Sequence, residues 1–206
     1  HKALGADISV ATIPVAQREA PEFGILKSSE GLITSFIEKP KKEVLEDWVS
    51  ETGEEMKAAG RNYLASMGIY IFNRKLMFDM LRTEFKDATD FGKEIIPQSI
   101  NKYKVASYQY TGYWTDIGNI YSFFEANLDL TKDIPDFNMF DNDRTIYTRP
   151  RMLPPAKISG TTLEKTLVAE GSIINASRIE NSVVGIRSRI GHGSTIVSTY
   201  LMGSDF

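Results

Sequence analysis

In Phe36-Ile37-Glu38-Lys39-Pro40 a carboxylate and an ammonium stand side by side, the pair in this chain whose types and spacing best suit ligand chemistry. Residues 33–36 read as a strand. Pro40 cannot donate to a ladder and should restrict Lys39 to extended geometry, which puts the pair at a strand end. Successive side chains of an extended segment point opposite ways, so the two close on a ligand from different sides only if it lies across that end. A phosphorylated sugar suits them: Lys39 offers a point charge to phosphate, and Glu38 accepts hydrogen bonds from sugar hydroxyls. Glu-Lys before Pro is also an ordinary solvated turn, and the residues alone leave both readings open. Three further positions have the same double character. Gly24 either lets a ligand approach the backbone or marks a bulge. Ser66 is either a ligand contact or a small core residue bonded to backbone. Asp116, in Gly112-Tyr113-Trp114-Thr115-Asp116-Ile117-Gly118, is either the cap of the next helix or a ligand of a hard cation.

The elements that must position these residues follow from the apolar pattern. Residues 7–13 alternate polar and apolar with Ile8, Val10, Thr12 and Ile13, a strand that Pro14 should close. Residues 23–26 and 33–36, joined through a turn at 28–31, form a hairpin that delivers Glu38 and Lys39 to its end. Residues 41–59 read as a surface helix or pair of helices ended by Gly60. Residues 64–72 are apolar enough for a near-continuous buried strand, and Asn73 can cap a helix carrying Leu76, Met77, Met80 and Leu81. Asp90 is a cap candidate for a short helix, a strand follows at 105–110, and a helix with Ile120, Phe123, Phe124, Leu128 and Leu130 should bury an apolar stripe.

Pro135, Pro150, Pro154 and Pro155, with Asp133, Asp136, Asp141 and Asp143, mark an irregular crossing, so the expected organisation is a domain over 1–132, a linker over 133–160 and a second domain over 161–206. In that last part apolar residues recur every six positions, at Leu167, Ile173 and Ile179 and then at Val184, Ile190, Ile196 and Met202. A period of six with small residues between is the mark of a left-handed parallel β-helix, here two coils of about 18 residues each, short enough that the β-helix is expected to be partial and completed by parts outside this sequence.

The chain has 206 residues, a formal net charge of −3, 42% hydrophobic residues and no cysteine. That is enough for a packed core, and it supplies no electrostatic reason to expect nucleic acid or a membrane as partner. No apolar run reaches the ~20 residues a bilayer requires. The lack of cysteine fits a cytoplasmic location. His1-Lys2-Ala3 reads as a start inside a longer protein.

FIEKP, SMGIYIF, DFGKEIIP, YWTDIGNIYSFFEANLDL and LPPAK, in that order, resemble bacterial ADP-glucose pyrophosphorylase (glucose-1-phosphate adenylyltransferase) over essentially the whole chain. The resemblance implies an α/β fold: the C-terminal part of a Rossmann-like, mixed-sheet sugar nucleotidyltransferase domain, followed by a partial left-handed parallel β-helix. It implies that ATP and glucose 1-phosphate react to ADP-glucose and pyrophosphate for glycogen synthesis, with Mg2+ as cofactor. It further implies a homotetramer and a sugar-phosphate allosteric effector. By the same implication Gly24, Glu38, Lys39 and Ser66 contact glucose 1-phosphate, Lys39 and Asp116 are catalytic, Asp116 holds magnesium, and Tyr113 and Trp114 shape the pocket. The family's Gly-rich ATP loop is not in this sequence, so the 206 residues alone are expected to be inactive. Other readings are a non-catalytic regulatory subunit, another nucleotide-sugar pyrophosphorylase, and a hexapeptide-repeat acyltransferase with His192 as general base.

Overall fold

The computed structural model describes residues 1–205. The chain divides into two units, His1–Gly112 and Tyr113–Phe206.

Five strands build the first unit: β1 (Ile8–Val15), β2 (Gly24–Ser29), β3 (Leu32–Glu38), β4 (Tyr63–Phe72) and β5 (Val105–Gln109). They lie in the order β1-β4-β2-β3-β5. β5 runs parallel to β1 and the other pairs are antiparallel, while the Leu32–Ala106 pair joins β3 to β5 and closes the curled sheet. The β2–β3 hairpin turns on Glu30 (φ 51°) and Gly31 (φ 78°). Two consecutive positive φ values match the right-handed twist of the flanking strands. Ile8, Val10, Leu26, Ile33, Leu64 and Val105 form a core that α2 (Arg74–Arg82) closes with Met80, Leu76 and Leu81, and α3 (Ile96–Ser99) with Ile96.

Between β3 and β4 lie a 3-10 helix at Lys42–Trp48 and α1 (Glu54–Ala58), which Gly60 (φ 73°) ends. This excursion is fastened to the sheet by polar bonds: Ser50 Oγ donates to Leu26 O at 2.9 Å, and Gln109 Nε2 donates to Thr52 O at 2.8 Å.

For β1, α2 and β4 three expectations need correction. Pro14 does not close β1: it pairs with Leu64 while the β5 pairing has already stopped at Thr12, so a residue without an N–H is tolerated there. Asn73 occupies the cap position of α2 but its amide does not cap; Nδ2 donates instead to Ala6 O at 3.2 Å. β4 is buried only over Tyr63–Ala65, with partners on both edges at Leu64 and Ala65, and Ile69 and Ile71 are more than half exposed.

In the second unit α4 (Ile120–Asp129) precedes a parallel β-helix. β6 (Lys157–Ile158), β8 (Ile173–Ile174) and β10 (Arg189–Ile190) stack in one sheet. β7 (Thr162–Val168), β9 (Arg178–Val184), β11 (Thr195–Val197) and β12 (Tyr200–Leu201) form another. All their pairings are parallel. The register Lys157↔Ile173↔Arg189 gives a coil of 16 residues, shorter than the expected 18. The corners are tightened by stacked left-handed residues: Lys165 (φ 44°), Asn181 (φ 44°) and Ser198 (φ 44°) at one, and Gly171 (φ 74°), Arg187 (φ 55°) and Gly203 (φ 75°) at another. Asn181 Nδ2 donates to Ser198 Oγ at 3.1 Å, which binds two coils together at the first corner.

Ile174, Ala176, Ile179, Val184 and Ile190 fill the β-helix, with Val168, Ile196 and Leu201 packed on them. The inward residues are thus Val168, Ile174 and Leu201 where Leu167, Ile173 and Met202 were expected. Neighbours on a strand face opposite ways, so in an apolar pair such as Ile173-Ile174 composition does not reveal which one points in. The stripe on α4 is also thinner than expected. No residue of that helix is buried, Ile120 is exposed, and its aromatic anchor is Phe123, edge-on to Tyr200 at 5.2 Å.

Candidate functional site

Polar residues from three parts of the first unit meet at the end of the β2–β3 hairpin. Gly24 pairs with Glu38 in an unshifted part of the ladder, so it is no bulge; the register shift lies further along, between Lys27 and Ser28. A Cβ on Gly24 would stand 2.4 Å from the Phe36 ring and 2.7 Å from Glu38 Oε2. Any larger residue here would displace the Phe36 ring and the Glu38 carboxylate, which fold over the glycine.

Lys39 does not continue the strand. Its N–H donates to Phe23 O at 3.0 Å, the last rung of the hairpin, and its φ is 47°. The extended geometry expected before Pro40 is replaced by a left-handed turn, which the anchored N–H and buried Pro40 fix in place. Strict alternation of side chains thus stops at Glu38. Lys39 stands exposed beside a half-buried carboxylate.

β4 supplies the second wall, and it does so through a bulge that its sequence reading lacked. Val10 pairs with Tyr70 but Thr12 pairs with Ser66, so between these rungs one residue of β1, Ala11, faces three of β4, Met67, Gly68 and Ile69. The extra length is absorbed around Gly68, whose φ is 70° and whose N–H donates to Ser66 Oγ at 3.3 Å. The bulge brings the hydroxyls of Ser66 and Tyr70 within hydrogen-bonding reach of each other. Isolated glycine in an otherwise apolar strand was the available signal for it.

The third wall is the turn at Asp90. A π-helical turn over Phe91–Ile95 is capped by Asp90, whose Oδ1 accepts from Lys93 N at 2.9 Å. Glu94 Oε1 reaches back to accept from Thr89 N at 2.9 Å, Thr89 Oγ1 at 3.1 Å and Asp90 N at 3.0 Å. These bonds fix the direction of Asp90, and the two from Thr89 are the main reason that the Glu94 carboxyl is held below the usual range. Phe91 stacks on Tyr70 at 5.9 Å.

Around Gly92 the walls converge. The Cβ position of Gly92 is 3.5 Å from Asp90 Oδ1, 3.5 Å from Glu38 Oε2 and 3.8 Å from Tyr70 Oη. Partial burial raises the Glu38 carboxyl above its ordinary value; Lys39 opposes the rise, Asp90 adds to it and Lys93 opposes it. Burial likewise raises the Tyr70 phenol, against a hydrogen bond from Ser66 and with help from Glu38 and Asp90. The arrangement offers hydrogen-bond acceptors at one corner and ammonium groups beside it, as a ligand with hydroxyls and an anionic group requires. Gly24, Glu38, Lys39 and Ser66 are thus brought together; Tyr70, Asp90, Gly92 and Lys93 are the neighbours that sequence reasoning did not include.

Asp116 belongs to the second unit. It stands exposed in an Asx turn, with Oδ1 accepting from Gly118 N at 3.2 Å. It does not cap α4: that role falls to Asn119, whose Oδ1 accepts from Ser122 N at 2.9 Å. Among the described residues no group of three or more His, Cys, Asp or Glu could hold a metal ion. A lone exposed carboxylate nonetheless fits magnesium, which takes one or two carboxylates and completes its shell with water and phosphate. Tyr113 stacks on Phe137 at 6.0 Å. His192 is exposed in the turn between β10 and β11.

The family profile described as nucleotidyl transferase matches residues 1–133, and the one described as GLGC left-handed parallel beta-helix domain matches residues 151–206. A mixed sheet bearing a polar site and followed by a parallel β-helix is thus a nucleotidyltransferase arrangement, and the chain belongs to the nucleotidyl transferase family. It is similar to the glucose-1-phosphate adenylyltransferase small subunit, chloroplastic/amyloplastic, of Triticum aestivum: 42% identical over 213 aligned positions, covering 100% of this chain and 45% of the relative. The chain therefore spans about half the length of the curated relative it matches. The hexapeptide-repeat acyltransferase reading of His192 has no support from these matches. No helix among the described residues is long and apolar enough to cross a membrane.

Proposed function

We propose that this chain is the sugar-phosphate-binding part of a glucose-1-phosphate adenylyltransferase, which joins ATP and glucose 1-phosphate to ADP-glucose with release of pyrophosphate. The observation that carries the reading is the cluster at the hairpin end, where Glu38, Asp90 and Tyr70 converge on Gly92 with Lys39 and Lys93 alongside, in a chain whose whole length aligns with an adenylyltransferase subunit. Lys39 binds the phosphate of the sugar; Gly24, Glu38 and Ser66 bind or position its ring, with Tyr70 and Asp90 added on geometry. Asp116 serves as a ligand for Mg2+, which supplies positive charge to the phosphates. Attack of a sugar phosphate on the α-phosphate of ATP brings two anions together, so positioning and cationic charge carry most of the rate enhancement.

The bacterial, glycogen-forming and cytoplasmic character of the parent protein rests on motif resemblance, and so does its assembly as a homotetramer. A sugar-phosphate effector is part of the same reading. The pocket of about 230 Å³ lined by Arg149, Pro150, Arg151, Arg187 and Asp205 has guanidinium groups suited to a phosphate. The test is pyrophosphate release by the full-length parent with glucose 1-phosphate and each nucleoside triphosphate in turn. Turnover with ATP far above the other nucleotides is expected. No release with any of them overturns the reading, and light scattering of the same preparation checks the tetramer.

A further inference from the structure

Gly92 stands out among the glycines of the first unit because neither backbone conformation nor crowding accounts for it. Gly5, Gly31, Gly53, Gly60 and Gly68 have positive φ, Gly24 is crowded by Phe36 and Glu38, and Gly112 by Tyr110. Gly92 has neither feature: its φ is outside the left-handed region, and the nearest atoms to a Cβ lie at ordinary van der Waals distance. Alanine would fit there, and in a helical turn it would be the better residue for stability. Packing does not explain the glycine.

The atoms around the spot say what the missing side chain leaves room for. All three are oxygens, two from carboxylates held by separate elements and one from a phenol. Carboxylate oxygens accept and cannot donate, so the spot favours groups that bring protons and repels phosphate. A single hydroxyl has one proton and satisfies one carboxylate. Two neighbouring hydroxyls on a ring bring one proton for each.

Resting on the sugar-phosphate reading above, we propose that Gly92 is a specificity-determining residue of that site: the edge of the sugar ring bearing two adjacent hydroxyls lies on its bare Cα, one hydroxyl on Glu38 and the other on Asp90. The phosphate then points away from this corner, toward Lys39. Tyr70 holds the rim of the spot and Phe91, stacked on it, keeps the phenol in place. A methyl at position 92 fills the spot without disturbing the fold and lifts the ring off both carboxylates.

The experiment measures steady-state kinetics of the full-length enzyme and its Gly92→Ala variant, with glucose 1-phosphate and its 2-, 3-, 4- and 6-deoxy analogues. In Gly92→Ala the KM for glucose 1-phosphate is expected to rise by about 10-fold or more, while that for ATP stays within about twofold. The melting temperature should be unchanged or higher. In the wild type two deoxy analogues of adjacent positions should each lose about 10-fold or more, and that penalty should shrink in Gly92→Ala, where the contact is already gone. An unchanged sugar-phosphate KM in Gly92→Ala, an equal rise for both substrates, or penalties at non-adjacent positions overturns the proposal alone. A wild type that turns over no glucose 1-phosphate overturns the functional reading, and this proposal falls with it. Should Gly92→Ala not fold, the analogue series on the wild type decides.

Discussion

The ligand contact proposed for Glu38 comes at some expense to the fold. Partial burial raises its pKa above the ordinary 4.5, so folding favours the protonated carboxyl. Stability from this group is fully present below the unfolded value and is lost as pH rises through the higher folded value. Glu38→Gln lacks that loss, so its melting temperature relative to wild type should climb as pH rises from the ordinary 4.5 through the higher folded value. Binding has the opposite sign, because a sugar hydroxyl needs the ionised acceptor. The wild-type KM for glucose 1-phosphate should rise on acidification, and that of Glu38→Gln should be high throughout without the added acid rise. Taking the ratio of the two at each pH removes the titration of the substrate phosphate. A constant ratio would show that Glu38 does not titrate in the binding step. Lys39 differs: if it binds the sugar phosphate as proposed, Lys39→Ala loses a charge-assisted contact worth roughly 1.5–3 kcal/mol, and the KM for glucose 1-phosphate should rise about 10- to 150-fold. An equal change in the KM for ATP would contradict the assignment of Lys39 to the sugar phosphate.

At the level of elements, the bulge of β4 links fold to site. Gly68 sits at φ 70° with nothing within 4 Å of its Cβ position, so Gly68→Ala meets no clash and costs only backbone strain, about 1–2 kcal/mol. Because the bulge sets Ser66 against Tyr70, the same variant should also raise the KM for glucose 1-phosphate. Urea unfolding and kinetics on one preparation check both effects; lost stability with an unaltered KM would mean that the bulge does not position the site. Much of this unit was legible in the sequence. The hairpin, the cap at Asp90 and the pair of helical turns before β4 followed from turn residues and apolar period. What was not legible depended on partners distant in sequence. The left-handed turn at Lys39 needs the carbonyl of Phe23, Asn73 turns from its helix to Ala6, and the half-exposure of β4 reflects which strands flank each part of it. Tyr70 and Asp90 were hidden for the same reason: only the curled sheet brings them to Glu38. In the β-helix the period showed the architecture, while the one-residue choice between Ile173 and Ile174 lay in the register.

On the scale of the whole molecule, the chemistry proposed needs positive charge that a chain of net charge −3 holds sparingly. Lys39 and Lys93 beside Glu38 are the first unit's contribution. The second unit's is a carboxylate, Asp116, through the ion it would hold. The sequence left two readings for Asp116, helix cap or metal ligand, and the structure removes the first because Asn119 caps α4. The one bond that Asp116 makes to its own turn, from Gly118 N to Oδ1, is available equally to an asparagine oxygen. Asp116→Asn should therefore leave the melting temperature of the full-length enzyme within about 2 °C of wild type. Removing the charge that balances the ion should still lower turnover by about 100-fold or more and raise the magnesium concentration needed for half-maximal rate. Thermal melts and magnesium titrations of wild type and variant separate the outcomes. A variant with near wild-type turnover and unchanged magnesium dependence would assign Asp116 to its Asx turn alone, and the metal ligands would have to be sought in other parts of the full-length protein.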